Sequence, residues 1–264
     1  MQKALGAIAL AATLGVSAGT SAQEPAKPTV VFVHGAFADS SGWNGVISQL
    51  NRDGYSTIAA ANPLRSLGGD AASVSAVLKS IPGEVVLVGH SYGGLLITEA
   101  ANGNDNVKAL VYVAGFIPEA GESAFTLSTK FPGSTLGDAL QPVALANGGV
   151  DLYIQPAKFH AQFAADIPKD VAALMAATQR PVTQAALSEL TTVATWKAVP
   201  AFTIYGSDDL NIPAAVQSFM ADRAGVVKAV EIPGGSHALM ISHPDEVAAI
   251  IQEAAIIEEV ASAQ

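Results

Sequence analysis

Ser91 lies in the run Gly89-His90-Ser91-Tyr92-Gly93-Gly94, a G-x-S-x-G pattern. A serine hydroxyl is a poor nucleophile at neutral pH. Serine chemistry therefore needs a histidine base and a carboxylate that orients it. Both residue types occur downstream in glycine-bearing loops. Asp208 and Asp209 fall in Tyr205-Gly206-Ser207-Asp208-Asp209-Leu210-Asn211-Ile212-Pro213, and both qualify as the acid. His237 falls in Ile232-Pro233-Gly234-Gly235-Ser236-His237-Ala238-Leu239, again a glycine-bearing loop after a strand, and is the candidate base. Of the competing histidines, His34 and His90 stand at structural positions beside the loop and the turn. His243 precedes Pro244 at a helix start, and His160 lies in a separate insertion. Acyl transfer also needs two backbone N–H donors aimed at the developing oxyanion. Tyr92, directly after the serine, supplies one. The loop His34-Gly35-Ala36-Phe37 supplies the other, with Ala36 the first choice and Phe37 in reserve. The chain has no cysteine, which rules out a thiol nucleophile, disulfides and thiolate metal sites.

These residues need elements that bring them together. Val85 to Val88 is an apolar, β-branched run that ends in the serine turn, and Gly94 to Ala101 continues as helix. A serine at such a strand-to-helix corner sits at a strained backbone angle, with its Oγ pushed toward substrate. Thr29 to Val33 reads as a buried strand leading into the small-residue loop, and Trp43 to Leu50 as a helix. Ser56 to Ala60 is a second strand. Asp70 to Ile81 is a helix with Asp70 at or near its N-cap and Pro82-Gly83 as its stop. Val107 to Val113 is a further strand. This alternation predicts an α/β fold, a mostly parallel sheet with helices on both faces. It stops from Pro118 to about Val199, where the pattern shows helices and loops but no clear strand. It resumes with strand Ala201 to Tyr205, helix Pro213 to Arg223, strand Lys228 to Ile232 and a last helix from Pro244 to about Val260. The interruption reads as a helical cap insertion, about residues 118–198, over the carboxyl edge of the sheet. Active sites of parallel sheets sit at that edge. Phe125, Phe131, Tyr153, Phe159, His160, Phe163 and Met175 either line a pocket there or pack the cap onto the core.

The ends and the charge narrow the class. Lys3, the apolar stretch Leu5 to Val16 and the small residues Thr20-Ser21-Ala22 predict a signal peptide over residues 1–22, cut before Gln23. The apolar stretch is too short to span a bilayer, and no cysteine follows it to carry a lipid. The expectation is a periplasmic or secreted protein, a single domain over residues 23–264, with no membrane attachment after cleavage. A formal charge of −10 argues against nucleic acid and anionic membrane surfaces as partners.

With the loop His34-Gly35-Ala36, the elbow Gly89 to Gly94, the acid loop and His237 in place, the chain resembles the α/β-hydrolase superfamily over residues 28–262. More narrowly, it is similar to the small-esterase branch that includes plant methyl-ester hydrolases and hydroxynitrile lyases. In that branch the acid stands shortly before an Ile/Phe-Pro helix start, as Asp209 stands before Ile212-Pro213. The resemblance implies Ser91 as nucleophile, His237 as base, Asp209 as acid, and the N–H groups of Ala36 and Tyr92 as oxyanion donors. It also implies no metal and no organic cofactor. Two positions depart from the relatives. The lyases of this branch carry lysine after the catalytic histidine, where this chain has Ala238. Cofactor-free perhydrolases often have methionine after the serine, where this chain has Tyr92. The expected activity is hydrolysis of small-molecule carboxylic esters through an acyl-enzyme. The alternatives are a cofactor-free lyase or perhydrolase on the same fold, or a ligand sensor with a hydrolase pocket.

Overall fold

A computed structural model describes residues 26–146 and 148–257. The signal-peptide expectation for residues 1–22 lies outside the described residues. The chain runs β1 (Thr29–Val33), α1 (Asn44–Arg52), β2 (Thr57–Ala60), α2 (Leu67–Lys79), β3 (Val85–His90), α3 (Gly93–Ala101) and β4 (Val107–Val113). The cap follows as α4 (Ala124–Ser128), α5 (Leu136–Ala139), β5 (Leu140–Ala144), β6 (Val150–Ile154), α6 (Pro156–Phe163), α7 (Lys169–Thr178), β7 (Val182–Thr183) and α8 (Gln184–Ser188). The core resumes with β8 (Ala201–Gly206), α9 (Ala214–Ala224), β9 (Lys228–Ile232), α10 (Leu239–Ser242) and α11 (Pro244–Ala255).

Six strands form one sheet in the order β2-β1-β3-β4-β8-β9, and each neighbouring pair is parallel. Successive side chains of a strand point to opposite faces, and the core splits accordingly. Val31 and Val33 of β1 join Val74 and Leu78 of α2 and Leu95 and Leu96 of α3 in one buried cluster. Val30 and Phe32 join Val46 and Leu50 of α1 and Val247, Ile250 and Ile251 of α11 in the other. Burial on both faces is why these strands read as unbroken apolar runs rather than alternating ones. The strand order reverses between β1 and β3, so the loops leaving these two strands flank the crevice where parallel sheets bind ligands.

Three sequence expectations are corrected. The cap contains helices and also a three-stranded antiparallel sheet, β5-β6-β7. Its strands escaped detection because β5 is a largely exposed edge strand that contains Pro142, and β7 has only two residues. Helix α2 begins at Leu67, capped by Ser66 Oγ, which accepts from Gly69 N–H at 3.2 Å. Asp70 therefore lies inside the first turn and is fully buried. Gly68 and Gly69, poor helix formers, hide this first turn in the sequence. The last helix ends at Ala255 rather than near Val260, with Ile256 exposed.

Candidate active site

Ser91 occupies the corner between β3 and α3 at φ +53°. Holding a side-chain-bearing residue there costs on the order of 1–3 kcal/mol. The corner is fixed by three backbone bonds. Ser91 N–H donates to Val113 O at 3.3 Å, and Ser91 O accepts from Gly94 N–H at 2.9 Å and Phe116 N–H at 3.2 Å. The flanking glycines are steric necessities. A Cβ on Gly89 would lie 2.5 Å from Gly93 O, and one on Gly93 would lie 2.5 Å from Val33 O. The positive end of α3 opens directly behind the serine.

The acid and base loops leave β8 and β9 and lie backbone against backbone. A Cβ on Gly206 would lie 2.0 Å from Gly235 O. Ser207 N–H donates to Ile232 O and Asp208 N–H to Gly235 O, each at 3.0 Å. Asp209 Oδ2 lies 2.7 Å from His237 Nδ1, and both side chains are shut away from solvent. Asp209 Oδ1 accepts from Asn211 N–H at 2.8 Å and Ile212 N–H at 2.9 Å. Gln217 Nε2 stands 3.3 Å from the other oxygen. The carboxylate thus sits in a ring of donors. Asp208, by contrast, is exposed and accepts from Ser207 Oγ. A carboxylate at Nδ1 fixes the proton on that nitrogen and leaves Nε2 bare. His237 and Ser91 line the same cavity. Among the described residues no hydrogen bond joins them, a common state of such pairs in the absence of substrate.

Ala36 and Tyr92 line the cavity beside Ser91, and neither N–H has an acceptor among the described residues. The reserve donor differs. Phe37, at φ +60°, gives its N–H to Arg180 O at 3.1 Å. The Tyr92 side chain turns into the core and donates to Asp70 Oδ2 at 3.1 Å. Burial, together with the Asp70 carboxylate, pushes the phenol far above its usual ionisation range. Burial likewise raises the Asp70 carboxyl, against hydrogen bonds from Arg65 N–H and Tyr92.

The other histidines are spoken for. His90 is fully buried and donates from Nε2 to His237 O at 3.0 Å. Its ring packs 4.8 Å from that of His237, and the Phe163 ring lies against both, 5.0 Å from His237 and 6.0 Å from His90. Burial holds His90 well below the ordinary histidine range, so the ring is neutral. His160 bonds through Nε2 to Ile167 O within the cap and does not line the cavity. His243 precedes α11 and faces Asp166 at 3.5 Å and Glu246 at 3.7 Å.

The cavity measures about 820 Å³, and no Asp, Glu, Lys or Arg is among its lining residues. Of the aromatic residues considered from the sequence, Phe125 and Phe131 line it. Phe163 and Met175 line a second, smaller cavity instead, and Phe159 is buried in the core. Tyr153 borders neither. Sequence reasoning missed the cap residues that brace the loops. Gln162 Nε2 donates to Leu210 O at 3.0 Å and to Asn211 Oδ1 at 2.8 Å, steadying the acid loop. Asp166 accepts from Ser236 N–H at 3.2 Å and from Ser236 Oγ, next to His237. Burial opposes the Asp166 charge, but these bonds outweigh it and hold its carboxyl below the usual range. Such partners lie far away in sequence and carry no local signal. Among the described residues no three His, Asp or Glu side chains group to hold a metal ion.

The parallel sheet, the strained serine corner and the loops at its carboxyl edge define a class, and the sequence carries the same signature. Residues 30–250 match the alpha/beta hydrolase family, and the chain belongs to it. An alpha/beta hydrolase of Aspergillus novofumigatus, nvfD, is 29% identical over 251 residues, 87% of this chain and 97% of the fungal protein. Methylesterase 8 of Arabidopsis thaliana is 30% identical over 141 residues, 46% of this chain and 51% of the plant protein. Among solved structures, polyneuridine aldehyde esterase matches with a TM-score of 0.76 at 20% identity, over 86% of this chain and 98% of that one.

Proposed function

We propose that the chain is an exported serine esterase that hydrolyses uncharged, largely apolar carboxylic esters. The observation that carries this reading is the Asp209–His237 pair at 2.7 Å, opening onto a cavity that also holds Ser91 and two uncommitted N–H groups. In the proposed reaction, His237 Nε2 takes the proton of Ser91 Oγ as the oxygen attacks the ester carbonyl. The new oxyanion accepts from Ala36 and Tyr92 N–H. His237 then gives the proton to the leaving alcohol, and the acyl group stays on Ser91. Water, deprotonated by His237, attacks the acyl-enzyme; the acid leaves as His237 returns the proton to Ser91 Oγ. Asp209 remains ionised and keeps the imidazole in the tautomer that the first step needs. The relatives named as esterases support the reaction class. The size and neutral lining of the cavity support the substrate class. Export rests on the pattern of the first 22 residues.

The test is turnover of p-nitrophenyl esters from acetate to long chains by protein beginning at Gln23, with Ser91→Ala alongside. The expected result is turnover by wild type that Ser91→Ala abolishes, with an optimum at a chain length the cavity holds. A folded wild type that cleaves no ester of the series would overturn the reading.

A further inference from the structure

The loop that presents Ala36 is held from the cap. Arg180, between α7 and β7, is separated from His34 by 146 residues of sequence. Its Nη1 donates to Asn62 O at 3.0 Å and lies 3.2 Å from His34 Nε2. Its own carbonyl accepts Phe37 N–H at 3.1 Å. One residue of the cap therefore grips the loop on both sides of Gly35-Ala36.

The protons of this cluster can be placed. His34 is fully buried. Its Nε2 faces two donors, Asn62 N–H at 3.3 Å and the guanidinium. Nε2 must therefore accept, and Nδ1 carries the proton and donates to Gly35 O at 2.9 Å. Burial lowers the pKa of His34, and the neighbouring Arg180 charge adds to the effect, so the ring is a fixed neutral spacer between Arg180 and the loop. Asn62 Nδ2 completes the cluster by donating to His34 O at 2.8 Å. On the other side the loop has no slack. A Cβ on Gly35 would lie 2.7 Å from Ser91 Cβ. The loop packs against Ser91 with no room for a side chain at Gly35, and it cannot move away without breaking the Arg180 bonds. The same grip occupies the Phe37 N–H, which leaves Ala36 as the donor free to face the cavity.

We propose that Arg180 is a positioning residue through which the docked cap sets the oxyanion site. Its guanidinium and carbonyl hold His34 to Phe37 so that Ala36 N–H meets the oxygen of the Ser91 adduct. This inference rests on the esterase reading above.

The test compares wild type, Arg180→Met, Arg180→Lys and Arg65→Met on p-nitrophenyl butyrate, with thermal unfolding to verify each fold. Arg65 ties cap to core through Asp151 and Pro181 O but does not touch the oxyanion loop. Its variant therefore controls for a loosened cap. Misplacing one oxyanion donor is expected to lower kcat of Arg180→Met about 10- to 100-fold with little change in KM. Arg180→Lys, which keeps a single donor, should fall between it and wild type. Arg65→Met should keep kcat within about 2-fold of wild type. A trifluoromethyl ketone, which Ser91 converts to a tetrahedral oxyanion, should lose affinity in proportion to kcat/KM. The unfluorinated ketone, which stays trigonal, should bind as before. Unchanged kcat in Arg180→Met, or an equal loss in Arg65→Met, would overturn the inference while the esterase reading stands. If Arg180→Met does not fold, Arg180→Lys decides on the same terms. A folded wild type without ester turnover would remove the esterase reading and this inference with it.

Discussion

At the scale of single residues, two buried histidines give the protein an acid sensitivity that sets in before its carboxylates titrate. Burial lowers the pKa of both His34 and His90 in the folded state. Near pH 6.5 the unfolded chain takes up a proton at each, and the native chain does not. Below that pH the unfolded state binds more protons, so stability falls as pH falls. Each histidine should contribute about 1.4 kcal/mol per pH unit until its depressed native value is reached. Asp39, Glu122 and Asp166, whose native pKa values are lowered, add to the loss only below the ordinary carboxylate range. Asp70, raised by burial, works in the opposite sense and over a window above its ordinary value, where the native state takes up its proton first. Urea unfolding at pH 7.5, 6.5 and 5.5 should show the early decline, and His90→Leu should reduce its slope by one proton. An identical slope in that variant would mean that His90 is not the group involved. The residues themselves were unevenly legible. Ser91 and His237 stand out because each lies in a glycine-bearing turn or loop after an apolar strand, in the serine, acid, base order of the family that the chain resembles. Asp208 and Asp209 look alike by residue type; the family resemblance prefers Asp209 for its place before Ile212-Pro213, and the turn points that carboxylate at His237 Nδ1. His90 sits inside the motif, yet the carbonyl it serves is 147 residues away.

At the scale of elements, the strands of the main sheet were legible because burial on both faces makes them continuous apolar runs. The cap strands were not, since β5 exposes most of its residues and owes its place to pairing with β6. Helix α2 shows the same division. Its interior follows from apolar spacing, but its first turn depends on a partner from the cap. Glu189 accepts Leu67 N–H at 2.7 Å and Gly68 N–H at 3.1 Å, using two of the amides that a helix start leaves open. Glu189→Ala should therefore cost about 1–2 kcal/mol of stability, read as a lower denaturation midpoint. Amide exchange should speed up at Leu67 and Gly68 while staying slow in the core strands. Equal protection in the variant would show that water replaces the carboxylate without loss.

At the scale of the whole molecule, a net charge of −10 surrounds a cavity with no charged side chain in its lining. An ester bearing a second, free carboxylate meets repulsion outside and an uncompensated desolvation cost inside. Its kcat/KM should fall about 10-fold or more below that of the matching methyl diester. Added salt should recover only the long-range part of the difference, and equal rates at low salt would refute the argument. The cap that walls this cavity also reaches each working loop. Arg180 holds the oxyanion loop, Gln162 the acid loop and Asp166 the base loop. Specificity and chemistry are therefore not separable modules. A cap transplanted from a relative would bring a new pocket and at the same time detune the machinery beneath it. Redesign of substrate range has freer ground at Phe125, Phe131 and Leu136, which shape the cavity and form no part of these ties.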